Sequence, residues 1–392
     1  MKSVINTEKI PLYLWLDQLD AETLAQAKNL ANLPCAFHHV ALMADAHVGY
    51  GMPIGGVLAA SGFVIPNGVG VDIGCGMQAV RTGLEVITKT GLKAILRSLR
   101  AAIPLGFQHH GKPRPVEVMP QPRPEKKASP LPVITQEFNS ARHQIGTLGG
   151  GNHFIEIQQG SDGRIWLMVH SGSRNLGHKV ASHYNNLATA KAAKFSKDTI
   201  SKAWQLASLS VDSAEGQSYL AEMSYCVDFA QANRNEMMRV VVAIVAETTG
   251  CQQFESPFDV AHNYAAKETH FFKEVWVHRK GATRAFAGEL GVIPGSQGTT
   301  SYVVRGLGNP DSFKSCSHGA GRVLGRKEAQ RSLDLHEEIR KLDSMQVLHT
   351  IRHRRDLDEA PGAYKDIRTV MDNQRDLVEV VVELRPLAVL KG

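Results

Sequence analysis

Apolar and polar positions change rhythm several times along the chain. Between 21 and 33 apolar residues recur at helical spacing up to Pro34, so a helix is predicted there after a short strand or turn. From 40 to 80 the pattern becomes short apolar segments broken by glycine, HVALMADAHVGYGMPIGGVLAASGFVIPNGVGVDIGCGMQAV, which suits short strands and tight turns. Helical periodicity returns at 92–102. Farther on, QIGTLGGGNHFIEIQ runs from a glycine loop into an alternating strand, and WLMVHSGSRNLGHKV reads as a strand and turn with a helix after 176. The stretch 217–248 keeps helical spacing without Pro or Gly and is predicted to be the longest helix, a scaffold. HNYAAKETHFF is read as helical with Asp259 as its N-cap, and EVWVHRKGATRAF as strand into turn. IPGSQGTTSYVVRGLG reads as loop into strand, SCSHGAGRVLGRKEAQ as loop into helix with His318 at its mouth, and LVEVVVEL as a terminal strand. Motif-bearing loops are spread over 45–391 with no composition break, so a single domain over 1–392 is expected.

Composition narrows the picture. A chain of 392 residues, 43% hydrophobic and 21% charged, can bury a large core, which excludes a disordered or fibrous protein. No fixed-period repeat is present. The longest apolar run, 240–246, is far below the ~18 residues of a membrane span. The first twenty residues mix charges among apolar positions without a signal-peptide core, and a cytoplasmic location is expected. Five cysteines without a CxxC pair give neither a disulfide framework nor a zinc ribbon. The net charge of +6 is compatible with a polyanionic partner, and 17 histidines point towards metal or phosphoryl chemistry. Seven of the 17 prolines lie within 113–132, so an exposed loop is expected at about 108–132, either a surface insertion or an RNA-binding arm.

Nine glycines between Gly49 and Gly76 mark a place where backbone approaches backbone or ligand closely. There Asp72 and Cys75 stand three apart in VDIGCGM, a hard oxygen and a soft sulfur able to face one metal; an isolated D-x-x-C is also compatible with an inert buried thiol. His153 follows three glycines and an asparagine, where loop amides can cradle phosphate. His170 ends a strand beside Arg174, whose planar fork fits phosphate, and His262 with Asn263 is read at a helix start that favours anions. His318, between Ser317 and Gly319, is the candidate for covalent chemistry, because an imidazole nitrogen can attack phosphorus directly to form a phosphoramidate. The PGSQG loop at 294–298 offers successive amides to a nucleotide. Each motif alone also fits a turn or a structural histidine.

Taken together, MADAHVGYGMPIGG, PNGVGVDIGCGM, LGGGNHFIEI, VHSGSRNLGH, HNYAAKE, VHRKGATR, IPGSQGTTSY, CSHGAGR and the terminal LKG resemble, in order, the signatures of the RtcB-type RNA-splicing ligases over 44–392. The resemblance implies an α+β domain with two sheets forming a cleft and helices outside. It implies an enzyme that joins an RNA 3′-phosphate or 2′,3′-cyclic phosphate to a 5′-hydroxyl, using GTP and two Mn²⁺ ions in tRNA splicing or RNA repair. By the same resemblance Asp72, Cys75 and His153 would hold one Mn²⁺ and Cys75, His170 and His262 the other, with His318 carrying GMP covalently. Nucleotide contacts would come from Asn152, His153, Phe154, Ile155, Glu156, His262, Asn263, Pro294, Gly295, Ser296, Gln297, Ser301, His318, Gly319, Ala320, Gly321 and Lys391. Arg174, Arg279, Lys280 and Arg322 would meet RNA or nucleotide phosphates.

The sequence departs from the family pattern at four places: ADAH where PDVH is usual, Asn175 where Gly is common, Gln297 where Met is usual, and RVLGR where a Ser commonly precedes the last Arg. None removes an implied ligand; each bears on substrate preference. Two other readings compete, a metal-dependent phosphodiesterase that only opens cyclic phosphates and a noncatalytic RNA-binding accessory. Retention of His318, Ser301 and Lys391 argues against the first, and retention of all five metal-ligand candidates against the second.

Overall fold

Strand pairing builds two main sheets. The computed structural model describes residues 1–122, 130–195 and 203–392. One sheet has six strands in the spatial order Ser3–Ile5, Leu12–Leu14, Ala36–His47, Ile54–Ala60, Lys273–Lys280 and Asn263–His270, with one parallel pairing. The other has seven, all antiparallel: Phe258–Ala261, Gly76–Arg81, Ile165–Ser171, Phe154–Gly160, Val378–Lys391, Ser301–Gly306 and Leu290–Ile293. A short ladder pairs Ala282–Arg284 with Ser315–Ser317.

Period-two alternation decides what each face of the seven-stranded sheet meets. Ile155, Ile157, Leu167 and Val169 pack on one side with Met237, Val241 and Val245 of the long helix Ala214–Thr249 and with Ile95 and Leu99 of Lys89–Ala102. Met77, Ala79, Trp166 and Met168 turn to the opposite side. Between the sheets, Met43, Val57 and Val277 of the first join Ile293, Tyr302 and Val304 of the second in one buried cluster. The outer face of the six-stranded sheet is covered by Ala27, Leu30 and Ala31 of helix Ala21–Ala31. The result is the α+β arrangement of two sheets with helices outside.

Local signals explain the helix boundaries. Asp20, Thr88 and Ser213 each accept a backbone N–H three residues on, and the long helix stops at Gly250, whose φ of 76° is left-handed. The predicted helix at HNYAAKETHFF is a strand instead, Asn263–His270, paired along its whole length with Lys273–Lys280. Cross-strand pairing overrides the helical preference of Ala, Lys and Glu there. Asp259 accordingly caps no helix; it lies in the strand Phe258–Ala261 and pairs with Arg234.

The proline-rich segment is tied down at its start. His110 and Arg114 donate backbone bonds to the carbonyls of His143 and Arg142, Arg114 pairs with Glu236, and Met119 is buried. The rest of that expected loop, 123–129, lies outside the described residues. Among the described residues no helix is long and apolar enough to cross a membrane.

Candidate active site

Five ligand candidates distant in sequence meet on the inner side of the seven-stranded sheet. Cys75 precedes the strand Gly76–Arg81, His153 precedes Phe154–Gly160, and His170 lies in Ile165–Ser171, directly across the ladder from Met77 and Phe154. His262 sits in the short connection between Phe258–Ala261 and Asn263–His270 rather than at a helix start. Arg234, fully buried in the long helix, draws these strand ends together: it forms a two-pronged ion pair with Asp259 and donates to the carbonyls of Gly74 and Ser171. Gly172 is held to a hydrogen by space, since a Cβ there would lie 2.1 Å from the Asp72 carboxylate.

Cys75 Sγ lies 3.5 Å from His153 Nε2 and 3.3 Å from His170 Nε2. His170 Nε2 is 3.4 Å from His262 Nε2, and Asp72 Oδ2 is 3.0 Å from His153 Nε2. On their far sides, His153 Nδ1–H donates to the Leu148 carbonyl at 2.9 Å and His170 Nδ1–H to the Asn152 carbonyl at 3.1 Å. Those bonds fix the tautomer, so the Nε2 lone pairs point inward at one another and at sulfur. Burial, reinforced by the neighbouring imidazoles, pushes the pKa values of His170 and His262 well down and keeps both rings neutral. A single thiol proton cannot satisfy this many acceptors, whereas cations can, and the donors fall into two overlapping sets, Asp72–Cys75–His153 and Cys75–His170–His262. The residues present therefore fit two metal ions sharing the cysteine.

His318 enters from the other sheet's side. It follows the strand Ser315–Ser317, and its ring lies 4.8 Å, centroid to centroid, from that of His262. The expected helix begins only at Arg326, so His318 does not sit at its mouth. Asp45, in the strand Ala36–His47, is completely buried and accepts three bonds at Oδ2: from His318 Nδ1 at 2.7 Å and from the backbone N–H groups of His318 and Gly319 at 3.1 and 3.2 Å. Burial raises its pKa, but His318 facing it outweighs this and leaves it lowered. An ionised Asp45 dictates a proton on Nδ1 and a free lone pair on Nε2. Gly321, at φ 73°, permits the contact, because a Cβ there would sit 2.2 Å from the Asp45 carbonyl. Asp45 stands in the ADAH motif, but nothing local to that motif identifies its partner 273 residues away.

Beside His318 lies a narrow pocket lined by Asn152, Phe154, Glu156, Gly295, Ser296, Gln297, Glu359, Tyr364, Val389 and Lys391. The terminal strand is ordered to its end, and Lys391 pairs in register with Phe154. Burial lifts the Glu156 carboxyl to about 8 against the pull of Lys391. Glu359, unrecognised in the sequence, gathers Lys391 at 3.2 Å, Arg322 at 3.0 Å, Arg326 at 3.5 Å and the Tyr364 hydroxyl. Ser301 Oγ accepts from Gln158 and from the Gly295 N–H, bracing the 294–298 loop, and Pro294 flanks Gly319. Asn263 spans the Asp72 carbonyl and the Gly281 N–H.

The Ile155 side chain alternates away from the pocket into the helix-covered core and that of Ala320 is buried between the sheets, which leaves the backbone groups of both as the parts that can face a nucleotide. Two expected contacts are corrected. Arg279 is fully buried, its guanidinium consumed by Glu268, Ser315 Oγ and the Phe313 carbonyl, so it cannot reach RNA. Lys280 is equally enclosed: its ammonium donates to the carbonyls of Tyr50 and Asn67, and burial lowers its pKa to about 7. Arg174 does stand at the site, its Nη1 3.4 Å from His153 Nδ1. Arg322 edges the pocket through its pair with Glu359.

Two overlapping sets of metal donors beside a carboxylate-anchored histidine mark a candidate metal-binding enzyme centre. The family described as tRNA-splicing ligase RtcB matches residues 26–392, and the chain belongs to that family. It is 37% identical to the RNA-splicing ligase RtcB of Escherichia coli K12, over 99% of both chains. To the tRNA-splicing ligase RtcB of Thermococcus kodakarensis it is 33% identical, over 94% of this chain and 91% of the relative. The RNA-splicing ligase RtcB of Mycobacterium tuberculosis is 32% identical, over 94% and 100%.

Proposed function

We propose that the protein is a GTP- and Mn²⁺-dependent RNA ligase that joins 3′-phosphate or 2′,3′-cyclic phosphate ends to 5′-hydroxyl ends, in splicing or repair, through guanylylated His318. The observation that carries this reading is the Asp45–His318 bond at 2.7 Å beside the two donor sets. Asp72, Cys75 and His153 would hold one Mn²⁺, and Cys75, His170 and His262 the other. Bound there, the ions would supply positive charge to offset the negative charge that develops on phosphoryl oxygens.

Asp45 keeps the His318 proton on Nδ1, and Nε2 attacks the α-phosphorus of GTP. The P–N bond forms as the P–O bond to pyrophosphate breaks. The guanylyl group then passes to the RNA 3′-phosphate, which frees the imidazole. A 5′-hydroxyl attacks the activated phosphate, its proton leaves to solvent and GMP departs; a cyclic end is first hydrolysed to the 3′-phosphate. Arg174, beside the metal donors, would hold phosphate, and the pocket containing Phe154, Glu156 and Lys391 would take the base, whereas the Arg322 guanidinium is already engaged by Glu359, Tyr364 and the carbonyls of Leu324 and Asp358.

The test is incubation with Mn²⁺ and GTP labelled at the α-phosphate. Label that stays on denatured protein, survives alkali, breaks in acid and disappears in His318→Ala is the expected result. No adduct in wild type with Mn²⁺ bound would turn the reading towards a phosphodiesterase or a noncatalytic RNA binder.

A further inference from the structure

The loop at 148–152 has two sides, and the metal donors use the inner one. Inward, the carbonyls of Leu148 and Asn152 orient His153 and His170. Outward, the Leu148 N–H donates to the Pro104 carbonyl and the Gly149 carbonyl accepts from the Gly106 N–H at 2.9 Å, so the turn that follows helix Lys89–Ala102 is laced to the same loop. That turn closes with the Gln108 N–H on the Leu105 carbonyl, and His110 and His143 exchange bonds just beyond it. Gly106, at φ 59°, makes the reversal, and the next residue, Phe107, is fully exposed. Such a phenyl gains nothing from packing, and a turn bonded on both sides of it makes a fixed platform rather than a loose tip.

The surface around this ring carries positive charge. Arg174 lies so close against Gly149 that a Cβ there would fall 2.2 Å from its guanidinium, and the half-exposed Arg326 reaches Gly151, where a Cβ would fall 2.7 Å away. Single-stranded nucleic acid is held by this combination: cations take the phosphates, and unstacked bases lie on an aromatic face. We infer that Phe107 stacks on a base of the RNA strand that ends in the 3′-phosphate, and is a positioning residue for that end. This rests on the reading of the protein as an RNA ligase with Arg174 and the metal donors at the 3′-phosphate. A base inside a duplex has both faces covered, so the turn favours an end whose last bases are unpaired.

The experiment is equilibrium binding, by fluorescence anisotropy, of a labelled single-stranded RNA with a 3′-phosphate to the Mn²⁺-treated protein without GTP, so that nothing is ligated. Wild type, Phe107→Ala and Phe107→Trp are each tested with this RNA and with versions made abasic at successive positions from the 3′ end. Wild type is expected to bind the full RNA about tenfold more tightly than one of the abasic versions, Phe107→Ala to lose that preference through weaker binding of the full RNA, and Phe107→Trp to restore it to within about twofold. In ligation, Phe107→Ala should raise KM for the 3′-phosphate strand far more than it lowers kcat. Unfolding midpoints check that removing an exposed ring leaves the fold intact. Undiminished RNA binding by Phe107→Ala overturns the assignment, as does an abasic penalty that persists without the ring, or a wild type that shows no abasic penalty or binds no RNA. A ring-dependent penalty in a wild type that forms no GMP adduct would instead count against the ligase chemistry and leave Phe107 in its role.

Discussion

Two of the buried clusters of ionisable groups, those around Arg279 and Cys75, are finished to different degrees. Around Arg279 every group is answered from within: Glu268 takes two guanidinium bonds, Ser315 and the Phe313 carbonyl take the others, and His270 closes on Glu268 at 2.8 Å. Around Cys75 the outer nitrogens of His153 and His170 are answered, while their inner lone pairs face one another and the sulfur. The first cluster is complete as protein and holds strands together. The second is complete only with cations added. Burial alone does not distinguish a structural cluster from a site; the direction of the unshared lone pairs does.

The largest effect that separates the two should come at Asp45. Asp45→Asn removes the charge that fixes the His318 tautomer, and adduct formation is expected to fall by roughly 10³–10⁴, measured with labelled GTP, while GMP binding is kept. A parallel loss of GMP binding would make Asp45 a structural residue instead.

Next in size is Glu268→Gln, which strands Arg279 and should destabilise the fold by about 3–5 kcal/mol at pH 7, read by denaturant unfolding. Burial opposes the Glu268 charge, but Arg279 and the His270 bond overcome it and lower its pKa from 4.5 to about 2. The folded state therefore binds fewer protons, so the contribution is full above about 4.5 and fades as pH falls towards 2. Wild type and variant should converge across that window, and a gap that stayed constant with pH would contradict the ion-pair account.

Smaller again is the effect of metal. Mn²⁺ at a hundredfold excess over its dissociation constant should stabilise wild type by about 2.7 kcal/mol per site, and Cys75→Ala should abolish most of that gain. Without metal the same substitution should shift stability by no more than about 1 kcal/mol, since it relieves crowded acceptors as well as removing sulfur. A large metal-free loss would place Cys75 with the structural cluster.

Asp72, Cys75, His153, His170, His262 and His318 stand out singly in glycine-rich loops or at strand ends, and it is the resemblance of the ordered motifs that groups them into one site. What escaped were partners supplied by distant strands. Asp45 and Glu359 act through residues far away in sequence, and no local pattern names those pairs. Arg279, which the resemblance implies as a phosphate contact, is claimed instead by Glu268 on the neighbouring strand. The strand Asn263–His270 was hidden by its composition: Ala, Lys and Glu favour a helix, and only pairing to Lys273–Lys280 decides otherwise. Side-chain alternation likewise turns the Ile155 side chain into the core between Phe154 and Glu156, which do line the pocket.

The central claim is that Cys75 is shared by two metal ions. Crystals grown with Mn²⁺ and measured for anomalous scattering at the manganese edge test it directly. The account predicts two peaks, one among Asp72, Cys75 and His153 and one among Cys75, His170 and His262, both within bonding distance of the sulfur. Peaks elsewhere, or a Cys75 that touches neither, would contradict it.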